Sequence, residues 1–247
     1  MINLGHCDVN VCEHCNKTCV SCSHASPFQK PWNMTPEELA SDLAAIRPFV
    51  HFHQLQAVGG EPTLNKQLPE LLRVMRASGV GDEISVITNG ELLRGMPDEF
   101  WKELDTLILS IYPSLDPTIP DFAQAKCEQF GKSFCSRTFT EFHRQFRTPP
   151  NDGAHFTTCH WRRDCWSLHR GRFYLCPQSI FFPHSIMGLE KGVDGLPVAD
   201  LTEEKFLSFI NREEPLNACR ICMANEMKAA PWQEVKRSEW LEVSKAI

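Results

Sequence analysis

The chain has 247 residues, 42% of them hydrophobic, and a formal net charge of −6. Such a composition supports a core without disulfide staples and argues against a general binder of nucleic acid or of anionic membranes. No apolar run reaches membrane-spanning length, and Met1-Ile2-Asn3-Leu4-Gly5-His6 has neither a basic nor an apolar leader character, so a cytoplasmic location is expected.

In chain order, residues 2–11 alternate loosely and predict a first strand. A polar loop follows at 12–34, with Cys15, Cys19 and Cys22 at C-x3-C-x2-C spacing. Twelve cysteines in a reducing compartment point to metal or cluster binding rather than to disulfides. Three thiolates can hold three irons of a cubane [4Fe-4S] cluster and leave the fourth iron open to an outside ligand. The same spacing is also part of a zinc site, which His14, His24 or Cys12 could complete. For Cys7, Cys127 and Cys135 the plainer reading is a small buried hydrophobe.

Thr35-Pro36-Glu37-Glu38 is a capping box, and Leu39, Leu43 and Ile46 give the helix behind it an apolar face. Residues 53–58 predict a second strand running into Gly59-Gly60-Glu61-Pro62. The next helix carries Leu68, Leu71, Leu72 and Met75 and ends at Gly79. Residues 83–88 predict a third strand that breaks at Asn89-Gly90, a short helix spans about 97–104, and residues 106–112 predict a fourth strand. A helix near 118–130 and a strand near 132–138 continue the alternation, and Thr140 to Arg147 is predicted helical. Pro149-Pro150-Asn151-Asp152-Gly153 is a strong break, taken as the boundary between domains 1–150 and 151–247. Beyond it are a long loop at 183–200, a helix at about 201–211 capped by Asp200, and a last helix from about 232.

Alternating strands and helices build a parallel sheet with helices outside, and ligands bind at the carboxyl ends of its strands. The features at 12–24, 59–62, 88–90 and 110–113 all fall there, which predicts one shared site. These residues together resemble the radical S-adenosylmethionine (radical SAM) superfamily: the three-cysteine loop, Gly59-Gly60-Glu61-Pro62, Thr88-Asn89-Gly90 and Ser110-Ile111-Tyr112. The resemblance implies a partial (β/α)6 TIM-like barrel. It also implies a [4Fe-4S] cluster on Cys15, Cys19 and Cys22 that binds S-adenosyl-L-methionine (AdoMet) at its open iron. Gly59, Gly60, Glu61, Pro62, Asn89, Ser110 and Arg137 are the implied cofactor-binding residues, with Glu61 near the ligand amine. The family often has an aromatic residue just before the third cysteine; here it is Ser21.

Beyond the break, Gly171-Arg172-Phe173-Tyr174-Leu175-Cys176 and Cys219-x-x-Cys222 resemble a twitch domain, the short form of the SPASM domain. That resemblance implies an auxiliary [4Fe-4S] cluster on Cys159, Cys176, Cys219 and Cys222, with Cys165 the alternative to Cys159. A four-cysteine zinc site is the competing reading. A fully ligated auxiliary cluster suits electron transfer, and so a net oxidation. A thiol that donates hydrogen, from Cys127, Cys135 or Cys165, would give epimerisation instead.

Tyr112, Arg137, His155, Arg162 and Arg163 are weak catalytic candidates, and His143 and His160 fall in the same region near the domain junction. In length and cysteine pattern the chain is similar to small twitch dehydrogenases such as the butirosin aminocyclitol dehydrogenase. The expected activity is therefore oxidation of a small polar metabolite (a sugar or aminocyclitol), with electrons from a flavodoxin- or ferredoxin-type donor. A peptide maturase or epimerase, and a non-catalytic zinc or iron–sulfur protein, are the rival readings.

Overall fold

Strands β1 (Ile2–Cys12), β2 (Val50–Gly59), β3 (Gly81–Thr88), β4 (Thr106–Ile111) and β5 (Ser133–Thr138) lie side by side, all parallel. This is a computed structural model, and it describes residues 1–223, 226 and 228–246. Helices α1 (Pro36–Ile46), α2 (Leu68–Ser78), α3 (Asp98–Glu103) and α4 (Ile119–Phe130) form the crossovers. Thr35 caps α1 through the expected box: its side chain accepts from the Glu38 N–H, and the Thr35 N–H donates to the Glu38 carboxylate. Leu39, Leu43 and Ile46 of α1 and Leu68, Leu71, Leu72 and Met75 of α2 are fully buried against the sheet. Each such side chain contributes about 1.5–3 kcal/mol. Gly79 ends α2 at φ +63°, a backbone conformation that favours glycine.

The rest of the chain is β6 (Glu141–His143), α5 (Trp161–Asp164), β7 (Trp166–His169), β8 (Arg172–Tyr174), α6 (Gln178–Ser185), β9 (Leu196–Pro197), α7 (Glu203–Ile210), β10 (Ala229–Pro231) and α8 (Trp240–Ala246). Strand β7 pairs parallel with β1, Cys7 opposite Trp166, so the sixth parallel strand lies beside the first rather than beside the fifth. Antiparallel β8 and β9 complete an eight-stranded sheet of order β5-β4-β3-β2-β1-β7-β8-β9. The architecture is α/β, a parallel sheet of the partial-barrel kind. The division expected at residue 150 does not divide the sheet, because β1 and β7 share hydrogen bonds across it. The two parts also share a core: Phe173 packs against Phe52 (6.4 Å) and stacks on Trp166 (5.8 Å).

Three local expectations are corrected. Residues 141–143 form β6, antiparallel to β10, rather than a helix. Their partner lies more than 80 residues away in the chain, and the pairing overrides local helical preference. The N-cap of α7 is Thr202, whose side chain accepts from the Lys205 N–H, whereas Asp200 sits at φ +55° outside the helix. The last helix begins at Trp240, because the segment before it is used in β10 and in contacts to the cysteine loop. Among the described residues, no helix is long and apolar enough to cross a membrane.

Candidate active site

The carboxyl ends of β1 to β4 open into a cavity of about 390 Å³. Cys15, Cys19, Cys22, Gly59, Gly60, Glu61, Asn89, Ser110 and Tyr112 all line it, as the spacing of motifs along the chain predicts. Pro62 is buried and starts the turn after β2, without lining the cavity. Arg137 is exposed at the end of β5 and does not line it either; its charge is felt by His6.

Close backbone approach shapes this floor. A Cβ on Gly60 would stand 2.1 Å from the His14 carbonyl oxygen, and one on Gly59 2.2 Å from that of Cys12. The glycines let the end of β2 press against the cysteine loop, where the Gly60 N–H donates to the Cys12 carbonyl (3.1 Å) and the Glu61 N–H to that of His14 (3.0 Å). Glu61 is 1% exposed. Its carboxylate accepts from the N–H and hydroxyl of Thr63, the Thr88 hydroxyl (2.6 Å) and the Asn89 N–H (2.8 Å). It therefore ties the ends of β2 and β3 together, a role beyond the ligand contact expected of it. Asn89 Nδ2 lies 3.8 Å from the Cys15 sulfur and 2.8 Å from Asn16 Oδ1, so the third-strand loop braces the cysteine loop directly.

A C-terminal strap closes over the same loop. Val20 N–H donates to the Gln233 carbonyl (2.9 Å), Val235 N–H to that of Thr18 (3.1 Å), and Cys19 pairs with Glu234. Ser21, at φ +53°, donates its N–H to the Ser244 hydroxyl (2.9 Å), so the position lacking an aromatic is held by α8. Lys17 is buried and bridges Glu91 and Glu234. Burial alone would lower its pKa, but those carboxylates outweigh it and hold the ammonium above its usual range. Burial pushes the Cys19 thiol up to about 12, with the Trp232 indole N–H pulling the other way. It raises Cys15 further still.

Asp8 is a site residue that sequence reasoning missed. It lies on β1 between Gln56 and Ser167 and lines the cavity, and no donor among the described residues reaches its carboxylate. Burial pushes its carboxyl up to about 7. The strand's alternation was visible in the sequence, but nothing there told which face the cavity would take.

A second cavity of about 590 Å³ is lined by Cys159, Cys165, Cys176 and Cys222. Cys219 acts electrostatically on Cys176, and Cys159 and Cys222 act on it. Five thiols therefore gather where four were expected, both Cys159 and Cys165 among them. Burial pushes Cys165 and Cys219 up to about 12 and Cys176 well above its usual value. Ser23, His143 and Gln145 line both cavities and form the wall between them. Of the other catalytic candidates, Arg162 lies over the Phe156 ring at 4.3 Å, and His155, Arg162 and Arg163 line neither cavity. Cys7 and Cys127 are fully buried core residues, as expected, and Cys135 is exposed on β5.

Residues 9–121 match the radical SAM superfamily. They contain the cysteine loop and every strand end that lines the first cavity up to Tyr112. This part of the chain is a radical SAM domain. Two curated relatives are called probable GTP 3′,8-cyclases: one from Sulfolobus acidocaldarius, 31% identical over 42% of this chain and 33% of that protein, and one from Metallosphaera sedula, 37% identical over 32% and 25%. The chain thus matches a third or less of the length of these relatives. Among solved structures, BtrN in complex with AdoMet and 2-DOIA matches with a TM-score of 0.54 at 12% identity, covering 86% of this chain and 84% of BtrN. Streptococcus suis SuiB bound to S-adenosylmethionine matches with a TM-score of 0.50 at 10% identity, covering 85% and 66%. At these identities the likeness is one of fold.

The radical SAM domain implies a [4Fe-4S] cluster and AdoMet, and the residues present fit them. Three thiols and two close-packed glycines face one cavity. The buried indole N–H of Trp232 beside Cys19 meets no acceptor at full hydrogen-bond geometry. Among the described residues no three His, Cys, Asp or Glu side chains group tightly enough for a single metal ion. A cubane instead takes each thiolate on a separate iron. A thiol must lose its proton to ligate iron, so cluster assembly releases protons.

Proposed function

We propose that this radical SAM enzyme oxidises a small polar metabolite, a sugar or aminocyclitol alcohol, at a carbon held between the two cavities. The observation that carries the reading is their shared wall: Ser23, His143 and Gln145 face both. When bound, the first cluster, reduced by a flavodoxin- or ferredoxin-type donor, supplies the electron that cleaves AdoMet to methionine and a 5′-deoxyadenosyl radical. The cavity lined by Cys15, Cys19, Cys22, Gly59 and Gly60 would hold that cofactor, whose radical chemistry would remove a hydrogen atom from the substrate carbon. Asp8 then accepts the hydroxyl proton, and the remaining electron leaves toward the thiol-lined cavity, giving a ketone. A second [4Fe-4S] cluster on Cys159, Cys176, Cys219 and Cys222 is the proposed acceptor of that electron.

The test is anaerobic reconstitution with iron and sulfide, then AdoMet, a reductant and a panel of amino sugars and cyclitols. The expected result is 5′-deoxyadenosine together with a product two hydrogens lighter than its substrate. Deoxyadenosine without any such product across the panel overturns the substrate class.

One observation favours a second reading, epimerisation. Five thiols surround a place where a cubane uses four, and Asp8 acts electrostatically on Cys165. A Cys165 left out of the cluster would have a hydrogen atom to return to the substrate radical. Deuterium gained by the product in D2O, with no loss of mass from oxidation, would select this outcome. The cyclase activity of the curated relatives is not carried over, because the match covers so little of them.

A further inference from the structure

We infer that Trp232 donates its indole N–H to the cluster-ligand sulfur of Cys19 and thereby raises the reduction potential of the AdoMet-binding cluster. The inference rests on the assignment of Cys15, Cys19 and Cys22 to that cluster. Trp232 lies well beyond the matched residues 9–121.

The backbone brings Trp232 to the cysteine loop. Strand β10 pairs with β6, and the Trp232 N–H continues that ladder by donating to the Thr140 carbonyl (2.9 Å). The next three residues then run along the loop: Gln233 accepts from Val20, Glu234 pairs with Cys19, and Val235 donates to Thr18. The ring is fixed on both sides, stacked on Tyr112 at 5.5 Å and 20° with the Lys17 ammonium 5.8 Å from its centroid. In this pose its Nε1 is buried and without a hydrogen-bond partner among the described residues. The pairing of residues 233–235 with 18–20 and the stack on Tyr112, which lines the same cavity as Cys19, set this unpartnered donor beside the loop that carries Cys19.

The missing partner has a physical explanation. A neutral thiol is a weak acceptor, whereas the sulfur of a metal-bound thiolate is a good one. The indole N–H is thus satisfied when the cluster is in place. Reduction adds negative charge that spreads onto the sulfurs, so an N–H donor stabilises the reduced form more than the oxidised form. The donor therefore makes the cluster easier to reduce, at the step where the electron for AdoMet cleavage enters.

The test compares the full chain and its Trp232→Phe variant, each reconstituted anaerobically with ferrous iron and sulfide. Phenylalanine keeps the stack on Tyr112 and removes only the N–H. Potentials are read by electron paramagnetic resonance, following the signal that changes when AdoMet is added. The expected result is a more negative midpoint in Trp232→Phe with iron content retained, and partial recovery in Trp232→His, which keeps a ring N–H. An unchanged midpoint overturns the inference. So does loss of fold or iron in Trp232→Phe, which would assign the ring a packing role. A second readout needs no variant: exchange of the wild-type holoprotein into D2O should shift its iron–thiolate Raman bands, and bands that do not move overturn the inference. If no wild-type signal responds to AdoMet, the cluster assignment itself fails, before any variant is compared.

Discussion

Trp240 donates its indole N–H to the Cys19 carbonyl at 2.7 Å, a bond across 221 residues of sequence. The same ring is fully buried, stacked on Phe146 and edge-on to Phe28. Cys19, proposed here as a ligand of the AdoMet-binding cluster, is therefore anchored by α8. Trp240→Ala removes the ring and leaves the carbonyl unpaired, and an aromatic-to-alanine change in a core costs about 3–5 kcal/mol. Chemical denaturation should show that loss, and the reconstituted variant should hold less iron than wild type.

Gly60 faces the His14 carbonyl so closely that any side chain must displace backbone. Gly60→Ala is expected to push the cysteine loop away from β2 and to weaken AdoMet binding by at least tenfold, measured by equilibrium dialysis on reconstituted protein. An unchanged affinity would mean that the loop moves freely.

Asp8 makes stability depend on pH. Its folded pKa of about 7 lies above the ordinary carboxylate value, so its contribution is fully present below about pH 4 and lost as pH rises through 7. Asp8→Asn should flatten this slope and raise stability at pH 8 by about 1–3 kcal/mol, the partial exposure of the residue reducing the effect. Denaturation curves at pH 5 and pH 8 check it. The same variant should slow substrate oxidation by about 10²-fold or more if Asp8 takes the hydroxyl proton.

Cys159 and Cys165 lie in the same thiol group, so iron content separates them. Cys159→Ala should lose roughly half of the iron, as one of two cubanes would account for, and Cys165→Ala should keep it. The reverse result would make Cys165 the ligand and free Cys159.

Much of the site was legible because its motifs are local. The spacing of Cys15, Cys19 and Cys22, the Gly59-Gly60-Glu61 turn and Asn89 each end a strand whose own pattern is clear, and a parallel sheet brings such ends together. The strap was not legible. Its segment 233–235 has no periodicity of its own and is ordered by pairing with residues 18–20. Strand β6 carries no strand signal of its own for the same reason, since its partner is β10. The glycine and Glu61 loops also have a structural role that their motif alone does not show: much of their packing and hydrogen bonding holds the cysteine loop and β3 in place. The place of β7 beside β1 depends on sheet order, which strand patterns alone do not specify.

A radical SAM cluster that faces an auxiliary cluster across one substrate requires two cubanes in one chain. Iron analysis with Mössbauer spectroscopy on the anaerobically reconstituted full chain counts them. Roughly eight irons per chain in two cubanes is expected, falling to about four in a Cys176→Ala, Cys222→Ala double variant that still forms 5′-deoxyadenosine. About four irons in the wild type, or zinc bound at the second thiol group, would contradict it.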